Sequence, residues 1–163
     1  EMTFTIYTDG SCKGNGKSNN AGGYAFIILY DDEFDPNKQH IKVEYSRGVK
    51  NTTNNRMELS AIIEAFKCLY FYSTSSCPVE LYTDSAYFHN CYTQKWWKNW
   101  VKNGWKNSKK EPVKNRDLWE KLIPYMDNSL ITFKKVKGHN GDYWNEKVDS
   151  MAQDAADTVK LEE

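Results

Sequence analysis

Apolar and polar side chains alternate from the start of the chain. Phe4, Ile6 and Thr8 fall on one face of an extended backbone and Thr3, Thr5 and Tyr7 on the other, a period of two that predicts a strand ending at Asp9. A glycine-rich turn is expected next. Residues 22–30, GGYAFIILY, and 41–48, IKVEYSRG, predict a second and a third strand, with polar DDEFDPNKQH as the hairpin loop. The period then lengthens. Leu59, Ile62, Ile63, Phe66, Leu69 and Tyr70 recur at helical spacing, with Asn55 read as the N-cap and Glu58 three positions later as the acid of a capping box. Pro78 opens a fourth strand, VELYTD, which ends at Asp84 as the first ends at Asp9. Helical or turn pieces span 85–125, LITFKKVK at 130–137 predicts a fifth strand, and Val148, Met151, Ala152, Ala155, Ala156 and Val159 form the stripe of a last helix. The order βββαβ, helices, βα predicts an α/β fold: one mixed sheet with helices packed on it.

A chain of 163 residues is long enough for one real core and short for two, so a single domain over 1–163 is expected. With 39% hydrophobic and 27% charged residues and a mean hydropathy of -0.80, the composition is globular and polar. No apolar run approaches the roughly eighteen residues of a membrane span, and the start lacks the layout of a signal peptide. The expectation is an unsecreted, cytoplasmic protein without a membrane partner, nuclear or organellar in a eukaryote. Cys12, Cys68, Cys77 and Cys91 include no C-x-x-C pair and read as free thiols.

Net charge is zero, but the mean conceals an asymmetry. Residues 95–116 carry eight Lys/Arg against one Glu, a local charge of +7, which leaves -7 elsewhere. In that segment Trp96, Trp97, Trp100 and Trp105 alternate with Lys95, Lys98, Lys102 and Lys106. Cations beside aromatics suit a phosphate backbone and sugar faces. The same pattern also fits a helix whose rings pack inward, and part of it must do so because exposed rings are costly.

Four acids arrive from four elements: Asp9 and Asp84 at strand ends, Glu58 in the first turn of a helix, and Asp149 beside the last apolar stripe. Converging carboxylates repel unless cations neutralise them, and hard oxygen ligands favour Mg²⁺ or Mn²⁺ over zinc. Singly, each has another reading: Glu58 as a capping-box acid, Asp9 and Asp84 as turn starts, Asp149 as a solvated helix residue.

The stretches TDGSCKGNG at 8–16, TTNNRMEL at 52–59, YTDS at 82–85 and VKGHNGDYWNEKVDSMA at 136–152 resemble, in the same order, those of type 1 ribonuclease H. The resemblance covers residues 3 to about 157. It implies a ribonuclease H-like fold with a five-stranded mixed sheet, three strands antiparallel and two parallel, flanked by helices on both faces. The implied activity is endonucleolytic cleavage of the RNA strand of RNA–DNA hybrids by two Mg²⁺ ions, with Mn²⁺ as a substitute, leaving 3′-hydroxyl and 5′-phosphate ends. Asp9, Glu58, Asp84 and Asp149 would hold the metals.

By the same resemblance His139, in Gly138-His-Asn-Gly141, would shuttle a proton or assist product release. Asn145 would stand near the acids. Trp96, Trp100 and Tyr87 would line the groove for the DNA strand, Thr53 and Asn115 would hold a DNA phosphate, and Cys12, Asn15, Asn54 and Asn55 would contact the minor groove, where the 2′-hydroxyl marks RNA. The partner would be the hybrid, bound by a monomer. Three departures from the family pattern stand out: Ala86 replaces a longer side chain, the loop GKSNNAGG is long, and Lys95 reads as inserted. A ribonuclease H domain of a reverse transcriptase and a non-catalytic hybrid-binding module are the competing identities.

Overall fold

A computed structural model describes residues 3–35, 37–72, 76–136 and 142–161. The first strand, β1 (Phe4–Lys13), runs through Asp9 instead of ending there. Its second half continues to pair with β2 (Ala21–Asp31), from Gly10↔Tyr24 to Lys13↔Ala21, so the chain reverses only over residues 14–19. There Gly14 (φ 77), Gly16 (φ 84) and Asn19 (φ 58) adopt the left-handed backbone that a tight reversal needs. β3 (Gln39–Lys50) is longer than 41–48 because it pairs with β2 along its whole length, from Ala21↔Lys50 to Asp31↔Gln39.

Helix α1 (Asn54–Tyr72) begins two residues earlier than expected. Thr53 rather than Asn55 caps it: its Oγ1 accepts the N–H of Arg56 at 3.1 Å and its carbonyl accepts that of Met57 at 3.0 Å. Glu58 therefore lies in the second turn, beyond the reach of a capping box, and that alternative for it fails.

β4 (Val79–Tyr82), α2 (Ala86–Gln94), α3 (Trp96–Asn103), α4 (Arg116–Met126), β5 (Ile131–Lys134) and α5 (Tyr143–Asp157) complete the fold. Lys95 is no idle insertion. At φ 56 it ends α2 and starts α3, turning the chain between them.

The strands lie in the order β3-β2-β1-β4-β5, with two antiparallel and two parallel pairs, and helices cover both faces. Phe4, Ile6, Phe26 and Ile28 point to the face packed by Leu59, Ile62 and Phe66 of α1 and Trp119 of α4. The alternate residues Ala25, Ile27 and Leu29 meet Val148 and Ala152 of α5. Burial of each such large side chain contributes roughly 1.5–3 kcal/mol. No helix among the described residues is long and apolar enough to cross a membrane.

Candidate active site

The two repeated motifs meet because β1 and β4 are parallel neighbours. Their register pairs Ile6 with Leu81 and Tyr7 with Tyr82, whose rings stack at 4.9 Å, so the two YTD triplets run side by side and deliver Asp9 and Asp84 at the same level. Asp9 is buried inside the extended β1, whereas Asp84 lies exposed just past the end of β4. Glu58 joins them through a close approach of backbones. A Cβ at Gly10 would sit 2.3 Å from the nitrogen of Glu58 and 2.4 Å from the carbonyl carbon of Met57, so only glycine lets α1 lie against β1 at this point. One carboxylate oxygen from each of Asp9, Glu58 and Asp84 lies within 4.8 Å of the others.

Asp149 reaches the cluster from the opposite layer. A Cβ at Gly23 would meet the carbonyl of Ala152 at 2.2 Å, and this close seating of α5 on β2 carries Asp149, one turn earlier, to the cleft. Asp149 lies close enough to Asp9 to raise its pKa, while its Oδ2 accepts Nε2 of Gln153 at 3.0 Å. It is exposed and joins Asp9, without entering the tight group of three.

The cluster is electrostatically costly by itself. Burial, the hydrogen bond with Asp149 and the charges of Asp84 and Asp149 push the pKa of Asp9 up to about 8, against the N–H of Gly10, which donates to its Oδ1 at 2.9 Å and pulls the other way. Burial and the charges of Asp9 and Asp84 raise Glu58 well above the ordinary carboxylate range. Oε2 of Glu58 is buried and accepts no hydrogen bond. An orphaned acceptor of this kind, among hard oxygen donors, is what a divalent cation satisfies. The residues fit that group, and a mid-strand position excludes the turn-start reading of Asp9.

Several supports escaped sequence reasoning. Ser85 Oγ accepts the N–H of Phe88 at 3.1 Å and caps α2, and Thr83 Oγ1 accepts that of Ser85 at 3.2 Å. Nε2 of His89 faces the carbonyl of Thr83 at 2.7 Å, a contact that requires the proton on Nε2. The backbone beside Asp84 is thereby fixed. A serine ahead of a helix is legible as a cap; nothing marks His89 before the fold brings it back. His139, the histidine singled out from sequence, lies outside the described residues.

The carboxylates open onto a cleft of about 410 Å³, whose walls include Asn54, Asn55, Ala86 and Tyr87. Asn15 stands at its approach, with Oδ1 accepting the N–H of Asn54 at 3.0 Å, and half-buried Cys12 directs its thiol at the carbonyl of Thr52, 3.6 Å away. Asn145 is held as the third residue of α5 by its N–H to Asp142 at 3.2 Å and does not line the cleft. Tyr87 also lies apart from the tryptophan groove. Its hydroxyl accepts Nδ2 of Asn115 at 3.1 Å and Nε1 of Trp119 at 3.0 Å. Oδ1 of Asn115 accepts Arg56 at 3.2 Å, which ties Asn115 to the helix that Thr53 caps.

The tryptophans divide in two. Trp97 and Trp105 are buried in the core, while Trp96 and Trp100 line a second groove of about 680 Å³ together with Lys102 and Lys106. Trp100 is wedged among rings, 5.7 Å from both Trp105 and Trp119.

Comparison with known proteins gives a consistent result. The RNase H family profile matches residues 1–157. The chain is 43% identical over 156 residues to a ribonuclease H of Clostridium botulinum, covering 96% of this chain and 97% of that one. It is 48% identical over 156 residues to a ribonuclease H of Pseudoalteromonas atlantica, covering 96% and 92%. Among solved structures, LC9-RNase H1, a type 1 RNase H with the type 2 active-site motif, superposes with a TM-score of 0.76 at 28% identity, over 98% of this chain and 74% of that chain.

Proposed function

Since this chain belongs to the ribonuclease H family, we propose that it cleaves the RNA strand of RNA–DNA hybrids endonucleolytically, with two divalent cations, leaving 3′-hydroxyl and 5′-phosphate ends. The observation that carries the reading is the buried Oε2 of Glu58, which accepts no hydrogen bond, beside Asp9 and Asp84. Mg²⁺, with Mn²⁺ as a substitute, supplies there a lowered pKa for an attacking water and charge stabilisation for the leaving 3′ oxygen.

The protein's own residues supply placement. Asp9, buried at the centre of the group, would hold the cations together with Glu58, Asp84 and Asp149. The sheet fixes Asp9, the bonds of Thr83, Ser85 and His89 fix the backbone beside Asp84, and α5 brings Asp149 to the cleft. His139 takes up or delivers a proton and speeds product release, and Asn145 supports the acids. Asn54, Asn55, Cys12 and Asn15 read the minor groove of the hybrid. Thr53 and Asn115, with Tyr87 beside them, hold a DNA phosphate, and the groove of Trp96 and Trp100 receives the DNA backbone. The unit over about residues 3–157 acts as a monomer.

An end-labelled hybrid incubated with Mg²⁺ and with excess chelator tests this. Internal cuts in the RNA strand that need the cation and leave extendable 3′ ends are expected. Hybrid bound but uncut in Mg²⁺ and in Mn²⁺ would instead make the protein a binding module. His139→Ala should lower turnover without abolishing it.

A further inference from the structure

The proposed hybrid-reading strip is assembled from two segments distant in sequence: Cys12 at the end of β1 with Asn15 just after it, and Asn54 and Asn55 at the start of α1. Besides the seating of α1 on β1 and the direct bonds from Cys12 to Thr52 and from Asn54 to Asn15, one side chain joins them. The β2–β3 ladder ends at Ala21↔Lys50, and one step beyond, Asn51 (φ 52) turns away after donating its N–H to the carbonyl of Asn20 at 2.9 Å. The side chain of Asn20 then continues where the backbone stops. Its Oδ1 accepts the N–H of Thr52 at 2.9 Å, and its Nδ2 donates to the carbonyl of Thr52 at 3.0 Å and to that of Lys17 at 2.9 Å.

One primary amide thus engages both backbone polar groups of Thr52, as a neighbouring strand would, and anchors the preceding turn with its second N–H. Asn20 and Thr52 are both buried, 5% and 6% exposed, so water cannot replace these bonds cheaply. Thr52 in turn stands under Cys12, and Asn54 under Asn15.

We propose that Asn20 is a positioning residue for substrate recognition: it sets the spacing between the Cys12–Asn15 turn and the Asn54–Asn55 helix start, and so the fit of this strip to the hybrid. The inference rests on the functional reading above. Asn20 lines neither groove and touches no substrate. The chemistry requires an amide, because a donor and an acceptor are used at once. A carboxylate of equal size sets an anion against two carbonyls, and alanine leaves the N–H of Thr52 without this acceptor and its carbonyl with the weak Cys12 thiol alone.

The test compares parent, Asn20→Asp and Asn20→Ala on a defined hybrid in Mg²⁺, each well below its own melting temperature. KM should rise about tenfold in both variants with kcat within about twofold. Asn15→Ala should raise KM in the parent and add little in the Asn20→Ala background, since the arm it trims is already displaced. An unshifted KM, a loss confined to kcat, or additive effects of the two substitutions overturns the proposal. Should neither variant fold, hydrogen exchange on the parent decides: the Thr52 amide, whose acceptor is the Asn20 side chain, should be protected at least about a hundredfold, and exchange at open-chain rates overturns the assignment. A parent that neither binds nor cuts the hybrid removes the functional reading itself; a competent parent with unshifted variants removes this proposal alone.

Discussion

The carboxylate cleft and the α3 groove are opposites in construction. The cleft gathers acids from β1, α1, α5 and the end of β4 into partly buried space, and its charges oppose one another. The groove is made from one continuous segment, residues 95–116, whose cations stand in water beside half-buried rings. A centre of converging carboxylates is built non-locally and, by itself, lowers the stability of the fold that carries it. A gripping surface can be encoded locally at little cost, because exposed like charges are screened. The two regions should therefore respond to substitution in opposite ways.

The largest contrast comes from Asp9→Asn. Removing the central charge should reduce Mg²⁺-dependent cleavage by more than about a thousandfold, as the proposed role of Asp9 as a metal ligand requires. Hybrid affinity, measured without cation, should stay within about twofold. The metal-free variant should also be more stable than the parent at pH 8, by on the order of 2 kcal/mol, because a buried repulsion is relieved. Thermal melting in chelator reads this directly, and a destabilised variant would contradict the electrostatic account.

Gly10→Ala separates placement from charge. The added methyl meets backbone atoms of Met57 and Glu58 at 2.3–2.4 Å, so α1 must shift away from β1 and take Glu58 with it. Activity should fall roughly a hundredfold with every carboxylate present, and stability by about 1–3 kcal/mol. Steady-state kinetics and denaturant unfolding together check it; full activity would mean that Glu58 needs no fixed position.

This non-local construction explains what could be read from the sequence. The strand period, the stripes of α1 and α5 and the doubled YTD were legible, and with them the sheet and Asp9 and Asp84. The extension of β1 past Asp9 was not, because Gly10 looks the same in a turn as in a strand pressed by a helix. Nor was the cap of α1, where Thr53 competes with Asn54 and Asn55 as an equally good capping residue. Trp97 and Trp105 could not be told from Trp96 and Trp100, since composition reports the rings but not which side of α3 meets the core. His89 and Asn20 acquire their partners only when the fold closes.

Acidity gives a subtler handle on the cleft. A carboxyl raised to about 8 in the fold and near 3.8 when unfolded binds more protons in the native state between those values. The contribution of Asp9 to metal-free stability is therefore favourable at the acid end and falls as pH rises through that window, levelling above about 8. A divalent cation competes with the same proton. Because Glu58 is raised as well, calorimetric Mg²⁺ titrations at pH 7 in buffers of different ionisation enthalpy should show at least about one proton released per binding event, decreasing as pH rises. Release of none would mean that the cleft is already ionised and the repulsion is relieved by other means.

The smallest expected effect lies in the groove, and it completes the contrast. Lys106 is exposed, lines the groove and belongs to the +7 segment, so its contribution is one of several parallel contacts to phosphate. Lys106→Ala should weaken hybrid binding only a few-fold, leave kcat and melting temperature unchanged, and lower the slope of log affinity against log salt by about 1. Trp100→Ala shares that groove but is packed against Trp105 and Trp119, so it should weaken binding more and cost stability as well. Affinities measured across a salt series distinguish the two substitutions. A lysine variant with an unchanged salt slope would detach this face from the substrate and leave the cleft as the sole contact with nucleic acid.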